Sequence, residues 1–267
     1  MLTARIGDID INYKTYGSGP PVLLVMGLGG RGDVWAPFAE ALAAAGHTAI
    51  HFDNRDVGWS SLLDGKEYEV ADMAADALGL LDHLGVAQTD IVGISMGGII
   101  TQEILLRAPE RVRRAVLLAT TPGGPNAVLP ANEVAALLLQ RAQGDPVALL
   151  RLVYSTITAP GFAAASPHLI DRAVEVALQK PTVPAAMMRQ LSAVMRWSSW
   201  DRLPEVKTPT LVVHGDADSL VPYKNGANIA ERIPGAKLVT LPNVGHLVPL
   251  EAPEPLFKAV TEFLRAD

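Results

Sequence analysis

Short runs of apolar, often β-branched residues recur along this chain, and they constrain its fold more than any other feature. The runs lie at 22–25, 48–52, 90–94 and 115–119, and a segment with helical periodicity follows each of the first three. A strand that is apolar at successive positions, rather than at alternate ones, has both of its faces buried. The pattern therefore predicts an α/β fold, an αβα sandwich in which helices cover both faces of a mostly parallel sheet.

The beginning and the middle of the chain depart from this pattern. Residues 3–6 and 9–16 alternate apolar with polar side chains on either side of a Gly-Asp pair, which predicts a β-hairpin. The middle third loses the strand signal and becomes helical in periodicity, with prolines between its helical stretches. We predict two parts: a core domain of residues 1–121 and 205–267, and a helical cap of residues 122–204 inserted into it.

The composition excludes several classes of protein. The 267 residues include no cysteine, which removes disulfides, thiolate metal sites and a cysteine nucleophile. Lys and Arg number 22 against 28 Asp and Glu, and the net charge of -6 disfavours nucleic acid as a partner. No apolar run reaches the ~18 residues of a membrane span, and the N-terminus lacks the pattern of a signal peptide. We expect a cytoplasmic protein with no metal, cofactor or membrane partner, and the sequence leaves a homodimer open.

A glycine-rich segment after the first buried strand raises one candidate chemistry. Gly27-Leu28-Gly29-Gly30-Arg31-Gly32 fits G-x-G-x-x-G, and Asp53 stands about 20 residues further on, as in the dinucleotide-binding fingerprint. In that fingerprint the helix begins within the glycines, so Pro37 would fall inside it and cost about 3 kcal/mol. A helix capped by Asp33, with Pro37 in its first turn, avoids that cost and leaves the glycines in a wide loop. The sequence therefore disfavours a dinucleotide-dependent oxidoreductase without excluding it.

A second motif, Gly93-Ile94-Ser95-Met96-Gly97, joins a predicted strand to a predicted helix. The sharp turn between them strains Ser95, and the residues two before and two after it must be small. Such a turn exposes the Ser95 hydroxyl above the sheet and directs backbone N–H groups to the same place. The motif therefore predicts a nucleophilic serine, and the alternative is an ordinary glycine-rich turn.

A serine nucleophile needs a base, and the base needs an acid that orients it. Of the six histidines, His246 lies in a loop directly after a strand, where catalytic residues are commonly displayed. Asp216 and Asp218 lie at the end of another strand, and both qualify as the acid.

Three segments of the chain carry a family resemblance. They are Gly93-Ile94-Ser95-Met96-Gly97-Gly98, Gly215-Asp216-Ala217-Asp218 with Pro222, and Gly245-His246 followed by Glu251-Ala252-Pro253-Glu254. The chain resembles the α/β-hydrolase fold family, in which serine, acid and histidine follow one another in this order. The resemblance covers both parts of the predicted core and puts the insertion in the position of a cap or lid. The family's pattern G-x-x-D-x-x-x-P implies that the acid is Asp218 rather than Asp216.

The same resemblance gives the glycine-rich segment another role, that of the family's oxyanion loop. That loop normally opens with His-Gly, whereas this chain has Met26-Gly27. The resemblance implies that the backbone N–H groups of Leu28 and Met96 form the oxyanion hole. Residues 53–60 are similar to the family's D-x-R-G-x-G-x-S loop, with Asp56 in place of a glycine. Together these features are most similar to a bacterial branch that includes anthracycline methyl esterases.

The resemblance implies a serine hydrolase that cleaves small-molecule carboxylic esters with a small to medium, apolar acyl or alcohol group. In this scheme Ser95 attacks, His246 accepts its proton and Asp218 orients His246. We expect an apolar substrate pocket lined by the cap residues Met187, Trp197 and Trp200. The cap's own core is the alternative place for these three side chains. Lactone hydrolysis, C–C bond hydrolysis, perhydrolysis and ligand binding without catalysis also occur on this fold, and the sequence leaves them open.

Overall fold

One eight-stranded sheet forms the centre of the protein in the computed structural model, which describes residues 2–139 and 145–265. Its strands are β1 (Leu2–Ile6), β2 (Ile9–Tyr16), β3 (Pro21–Val25), β4 (Thr48–Phe52), β5 (Thr89–Ile94), β6 (Val112–Leu118), β7 (Thr210–Gly215) and β8 (Lys237–Leu241). The strand order is β1-β2-β4-β3-β5-β6-β7-β8. The pairs β1–β2 and β2–β4 are antiparallel, and all pairs from β4–β3 to β7–β8 are parallel.

Helices connect the parallel strands, and two more follow the last strand. They are α1 (Ala36–Ala44), α2 (Val70–His83), α3 (Met96–Arg107), α4 (Asn132–Leu139), α5 (Pro146–Ile157), α6 (Phe162–Ala165), α7 (Pro167–Gln179), α8 (Pro184–Met195), α9 (Lys224–Arg232), α10 (Val248–Glu251) and α11 (Pro253–Arg265). Among these helices of the described residues, none combines the length and the apolar character that crossing a bilayer requires.

The segment from 122 to 204, here called the cap segment, contains α4 to α8 and lies between β6 and β7 along the chain. It is defined here by the bounds of the predicted cap. Residues 140–144 of it, and residues 1, 266 and 267 of the predicted core, lie outside the described residues. The division into a core domain and a cap domain stays a prediction.

The central strands place alternate residues on opposite faces of the sheet. In β3, Leu23 and Val25 pack into the hydrophobic cluster that contains α2 and α3, whereas Val22 and Leu24 pack into the cluster that contains α1 and α11. All four side chains are completely buried. Because both faces of the strand are covered, it is apolar at every position. The predicted αβα sandwich with a mostly parallel sheet is confirmed.

The start of α1 differs from the sequence prediction. Asp33 lies in a 3₁₀ turn, Gly32–Trp35, and α1 begins after it with Pro37 in its first turn. Trp35 rather than Asp33 is the N-cap residue, and the Asp33 carboxylate pairs with the Arg31 side chain instead. Pro37 is tolerated because the N–H that it lacks would have no partner in the first turn.

Candidate active site

The turn between β5 and α3 carries the candidate nucleophile Ser95. Its φ of 56° and ψ of -121° lie outside the regions that most residues occupy. A Cβ atom at Gly93 would lie 2.3 Å from the Gly97 carbonyl oxygen, and one at Gly97 would lie 2.1 Å from the Val25 carbonyl oxygen. Since only glycine fits at both positions, the sequence forms the sharp turn that its motif predicts.

Hydrogen bonds to the adjacent β6 segment hold this strained residue. The Ser95 N–H donates to the Leu118 carbonyl oxygen at 2.9 Å, and the Thr120 hydroxyl donates to the Ser95 carbonyl oxygen at 2.7 Å. Ser95 is half-buried, and its hydroxyl has no hydrogen-bond partner, His246 included, among the described residues. In unliganded enzymes the bond from nucleophile to base is often long and tightens when substrate binds.

The loops after β7 and β8 bring the candidate acid and base together. His246 Nδ1 lies 2.9 Å from Asp218 Oδ2, and both side chains are almost completely buried. Since a carboxylate only accepts hydrogen bonds, Nδ1 carries the proton and Nε2 is left as the basic nitrogen. Because β5, β7 and β8 run parallel, the loops that carry Ser95, Asp218 and His246 lie at the same edge of the sheet.

Asp216 has a different partner from Asp218. Its Oδ1 accepts the backbone N–H of Asn243 at 2.7 Å, and the residue is exposed. This bond ties the loop after β7 to the loop after β8. Asp218 is the aspartate whose carboxylate faces the His246 ring.

The surroundings of Asp218 keep its carboxylate charged. Burial alone would raise its pKa, but the charge of His246 and hydrogen bonds from His214 and His246 outweigh burial and lower the pKa from 3.8 to about 2. The N–H groups of Leu220 and Val221 donate to the other carboxylate oxygen at 2.9 and 2.8 Å. Because the pKa of Asp218 is lower in the folded than in the unfolded protein, its ionised carboxylate stabilises the fold at any pH above about 3.8. This contribution is lost only as the pH falls from 3.8 through about 2.

Glu251 fixes the loop that carries His246. Its carboxylate accepts the N–H groups of Gly245 and Leu247, which flank His246, at 2.8 and 3.0 Å. It also accepts the Ala159 N–H at 2.7 Å and so fastens this loop to the chain that follows α5. Burial raises the pKa of Glu251 although these three bonds oppose the rise. The sequence motif contained Glu251 but did not reveal this role.

The glycine-rich segment after β3, residues 27–32, is here called the glycine loop, and it lies beside Ser95. A Cβ atom at Gly27 would lie 3.2 Å from Ser95 Cβ and 3.7 Å from its Oγ. Leu28 is the next residue of this loop, and Met96 is the first residue of α3, where backbone N–H groups have no partner within the helix. Both residues predicted to supply oxyanion-hole N–H groups therefore adjoin Ser95 or the glycine packed against it.

Asp53, which completes the dinucleotide-like pattern, is engaged within the protein. Its Oδ1 accepts the Gly32 N–H at 2.7 Å, its Oδ2 accepts the Trp59 N–H at 3.0 Å, and the residue is buried. In a dinucleotide site this carboxylate would instead bind the ribose. Asp53, whose spacing from the glycines matches the fingerprint, therefore holds the glycine loop through the Gly32 N–H.

Comparison with known proteins identifies the family of this chain. A family model described as alpha/beta hydrolase fold matches residues 20–253. The chain belongs to this family. Rhodomycin D methylesterase DnrP of Streptomyces peucetius is 30% identical to this hydrolase, and the match covers 100% of this chain and 99% of that protein. The family resemblance predicted from the sequence is confirmed.

Solved structures agree with this family. A thermophilic esterase from Thermogutta terrifontis superposes on this hydrolase with a TM-score of 0.83 at 26% identity, covering 99% of this chain and 97% of that one. The enol-lactonase from Burkholderia xenovorans LB400 has a TM-score of 0.87 at 24% identity, covering 99% of this chain and 100% of that one. The second likeness concerns the fold alone.

A cavity of about 220 Å³ lies between the glycine loop of this hydrolase and its cap segment. Gly29 and Gly30 line it from the core side. Most of the residues that line it from the cap segment are apolar, among them Leu149, Tyr154, Val176 and Met187. Of the three predicted pocket residues, the structure brings Met187 to this cavity.

Trp197 and Trp200 lie elsewhere in the hydrolase. Trp197 lines a second cavity, and its Nε1 donates to the buried carboxylate of Glu103 at 2.8 Å. The Arg232 guanidinium lies 4.2 Å from the centre of the Trp200 ring. A buried indole N–H requires an acceptor, and Glu103 supplies it where α3 meets the end of the cap segment. Both rings therefore make structural contacts, and among the described residues neither of them lines the cavity beside Gly29.

A buried ion pair that sequence patterns did not reveal joins the core to the cap segment. Arg189 of α8 donates to both carboxylate oxygens of Asp56 at 2.8 Å, and Asp56 is completely buried. Asp56 has a φ of 69°, a left-handed conformation that explains the glycine in the family pattern. The aspartate at a position where the family has glycine was the one sequence signal for this ion pair, since a buried aspartate needs a cationic partner.

Replacing Arg189 with methionine is expected to lower the free energy of unfolding by about 3 kcal/mol, because the Asp56 carboxylate stays buried without its counter-charge. Combining this change with Asp56→Gly should recover about half of the loss, since glycine adopts the φ of position 56 without strain. Urea unfolding of the wild type, the single variant and the double variant measures both effects. A double variant less stable than Arg189→Met would contradict the account.

Proposed function

We propose that this protein is a serine hydrolase that cleaves carboxylic esters through an acyl-enzyme on Ser95. The Ser95 hydroxyl attacks the acyl carbonyl while His246 accepts its proton on Nε2. Asp218 holds this tautomer of His246 and stabilises its charged form. The N–H groups of Leu28 and Met96 hold the oxyanion, each contributing about 3 kcal/mol in the transition state. His246 then protonates the leaving alcohol, and water hydrolyses the acyl-enzyme by the same route.

One observation carries this proposal, the 2.9 Å contact between His246 Nδ1 and Asp218 Oδ2. It orients a histidine at the sheet edge where the strained turn presents the Ser95 hydroxyl. A serine hydroxyl is a weak nucleophile by itself, so an oriented base at the same edge supports covalent catalysis. The similarity to a methylesterase supports an ester as the bond that is cleaved.

The cavity beside Gly29 supports a substrate with a small to medium, apolar acyl or alcohol group. Its walls include Leu149 and Met187, and a volume of about 220 Å³ suits a group of small to medium size. Each methylene buried there contributes about 0.8 kcal/mol, which is roughly a fourfold gain.

A panel of p-nitrophenyl esters tests this proposal. From acetate to butyrate to hexanoate, kcat/KM should rise by up to about fourfold per methylene, and dodecanoate should be a poorer substrate than hexanoate. A parallel series of alkyl acetates varies the alcohol, and a γ-lactone tests the ring-opening alternative. Leu149→Trp, which fills the cavity from α5, should lower the ratio of hexanoate to acetate turnover.

Two results would oppose the proposal. If no ester or lactone is hydrolysed while an apolar acid or alcohol raises the melting temperature, the protein is a ligand-binding member of the fold. If hexanoate and acetate react equally in both the wild type and Leu149→Trp, the cavity is not the acyl site.

A further inference from the structure

The glycine loop forms a tight turn at the residues nearest Ser95. The Gly30 N–H donates to the Gly27 carbonyl oxygen at 3.1 Å, so Leu28 and Gly29 are the two central residues of a β-turn. Gly29 has a φ of 63°, as the second central residue of a type II turn requires. The Gly27 carbonyl and the Leu28 N–H belong to the same peptide group. The turn, which fixes this carbonyl, therefore also sets the direction of the Leu28 N–H.

Two side chains of the cap segment hold both sides of Gly29. Gln190 accepts the Gly29 N–H with its Oε1 at 2.8 Å, and the Thr182 hydroxyl donates to the Gly29 carbonyl oxygen at 2.9 Å. The cap segment therefore fixes the peptide groups on either side of Gly29, including the one that joins it to Leu28.

The orientation of the Gln190 amide is itself determined. Gln190 is completely buried, and its Nε2 donates to the Arg55 carbonyl oxygen at 2.9 Å. The Gly29 N–H requires an acceptor and the Arg55 carbonyl requires a donor, so one amide orientation satisfies both. Gln190 thus bridges the two core loops that follow β3 and β4.

The neighbours of Gln190 on α8 keep it in place. Arg189 is clamped to Asp56 by two hydrogen bonds of 2.8 Å. One turn earlier, Met187 packs so tightly that a Cβ atom at Gly29 would lie 2.3 Å from its Cε. The contacts of Met187, Arg189 and Gln190 therefore set the position and rotation of α8 on the two core loops.

We propose that Gln190 is a positioning residue of the oxyanion hole, so that docking of the cap segment on the core completes the catalytic site. This inference rests on the proposed function. It goes beyond that function because it gives the cap segment a part in transition-state stabilisation, whereas a lid would only cover the substrate. Thr182 assists Gln190 from the carbonyl side of Gly29.

The test measures how fast a fluorophosphonate reacts with Ser95, together with kcat and KM for p-nitrophenyl butyrate. Both reactions develop negative charge on an oxygen in the oxyanion hole, and the fluorophosphonate requires no knowledge of the natural substrate. Gln190→Met keeps the length of the side chain and removes both hydrogen bonds. Thr182→Val removes one hydroxyl at nearly constant shape. Arg196→Ala is the matched control, since its side chain ties the end of α8 to the Tyr68 carbonyl oxygen at 3.0 Å.

In Gln190→Met, kcat and the phosphonylation rate should both fall about 10- to 100-fold, because displacing an oxyanion donor costs less than deleting it. KM should change by less than about threefold, as expected when only transition-state binding is lost. Thr182→Val should lose about 3- to 10-fold in both rates, and Arg196→Ala should stay within about twofold of the wild type.

Wild-type phosphonylation rates in folded Gln190→Met and Thr182→Val would overturn the inference and leave the proposed function standing. If Gln190→Met does not fold, Thr182→Val decides in the same way. A wild type whose Ser95 is not labelled would instead overturn the proposed function, and the inference with it.

Discussion

Replacing Ser95 with alanine is expected to lower kcat for p-nitrophenyl butyrate by about 10⁶-fold. In the proposed reaction this hydroxyl is the group that bonds to the acyl carbon, so the variant keeps only binding and the oxyanion hole. The change should leave the fold intact, because the bonds to Leu118 and from Thr120 involve the backbone of residue 95. Steady-state kinetics at saturating ester measures the loss.

The control for this variant is Ser166→Ala, which removes the hydroxyl of a half-buried serine in the cap segment. It should keep wild-type kcat within about twofold, because Ser166 has no part in the proposed reaction. Both proteins need expression from a strain that never carried the wild-type gene. If Ser95→Ala kept more than about 1% of the wild-type kcat, another nucleophile would be at work.

Replacing Asp218 with asparagine is expected to lower kcat by about 10⁴-fold. An asparagine can donate to the His246 Nδ1, which then stabilises the wrong tautomer and places the proton on Nε2. The pKa of about 2 keeps Asp218 ionised in the wild type across the neutral range, so the deficit should persist from pH 6 to pH 9. A pH profile of kcat for both proteins measures it.

Asp216→Asn is the matched comparison, because it makes the same chemical change two residues away. Its loss should stay below about tenfold, since Asp216 holds the Asn243 N–H and has no role in the proposed proton transfer. A larger loss in Asp216→Asn than in Asp218→Asn would exchange the two assignments.

The fold was predictable because its main determinant is local. Residues 22–25 are apolar at each position, and the structure buries them in two clusters on opposite faces of the sheet. The elbow was predictable for the same reason, since Gly93 and Gly97 lie two residues on either side of Ser95. The prediction that Asp33 caps α1 was wrong because the Asp33 carboxylate pairs with Arg31. Helix-start patterns in a sequence do not show which side chains pair with one another.

The contacts between the core and the cap segment could not be predicted. Asp56 and Arg189 are 133 residues apart, and Gly29 and Gln190 are 161 residues apart. Neither pair belongs to a local motif, and the register of α8 on the core decides which residues meet. For the same reason the sequence could not show that Trp197 donates to Glu103.

The most direct test of the account is to map the site of fluorophosphonate labelling by mass spectrometry. The account predicts one phosphonyl group per chain, on the peptide that contains Ser95, with esterase activity lost in proportion to labelling and no label in Ser95→Ala. A phosphonyl group on another residue, or full ester hydrolysis by a completely labelled protein, would contradict it.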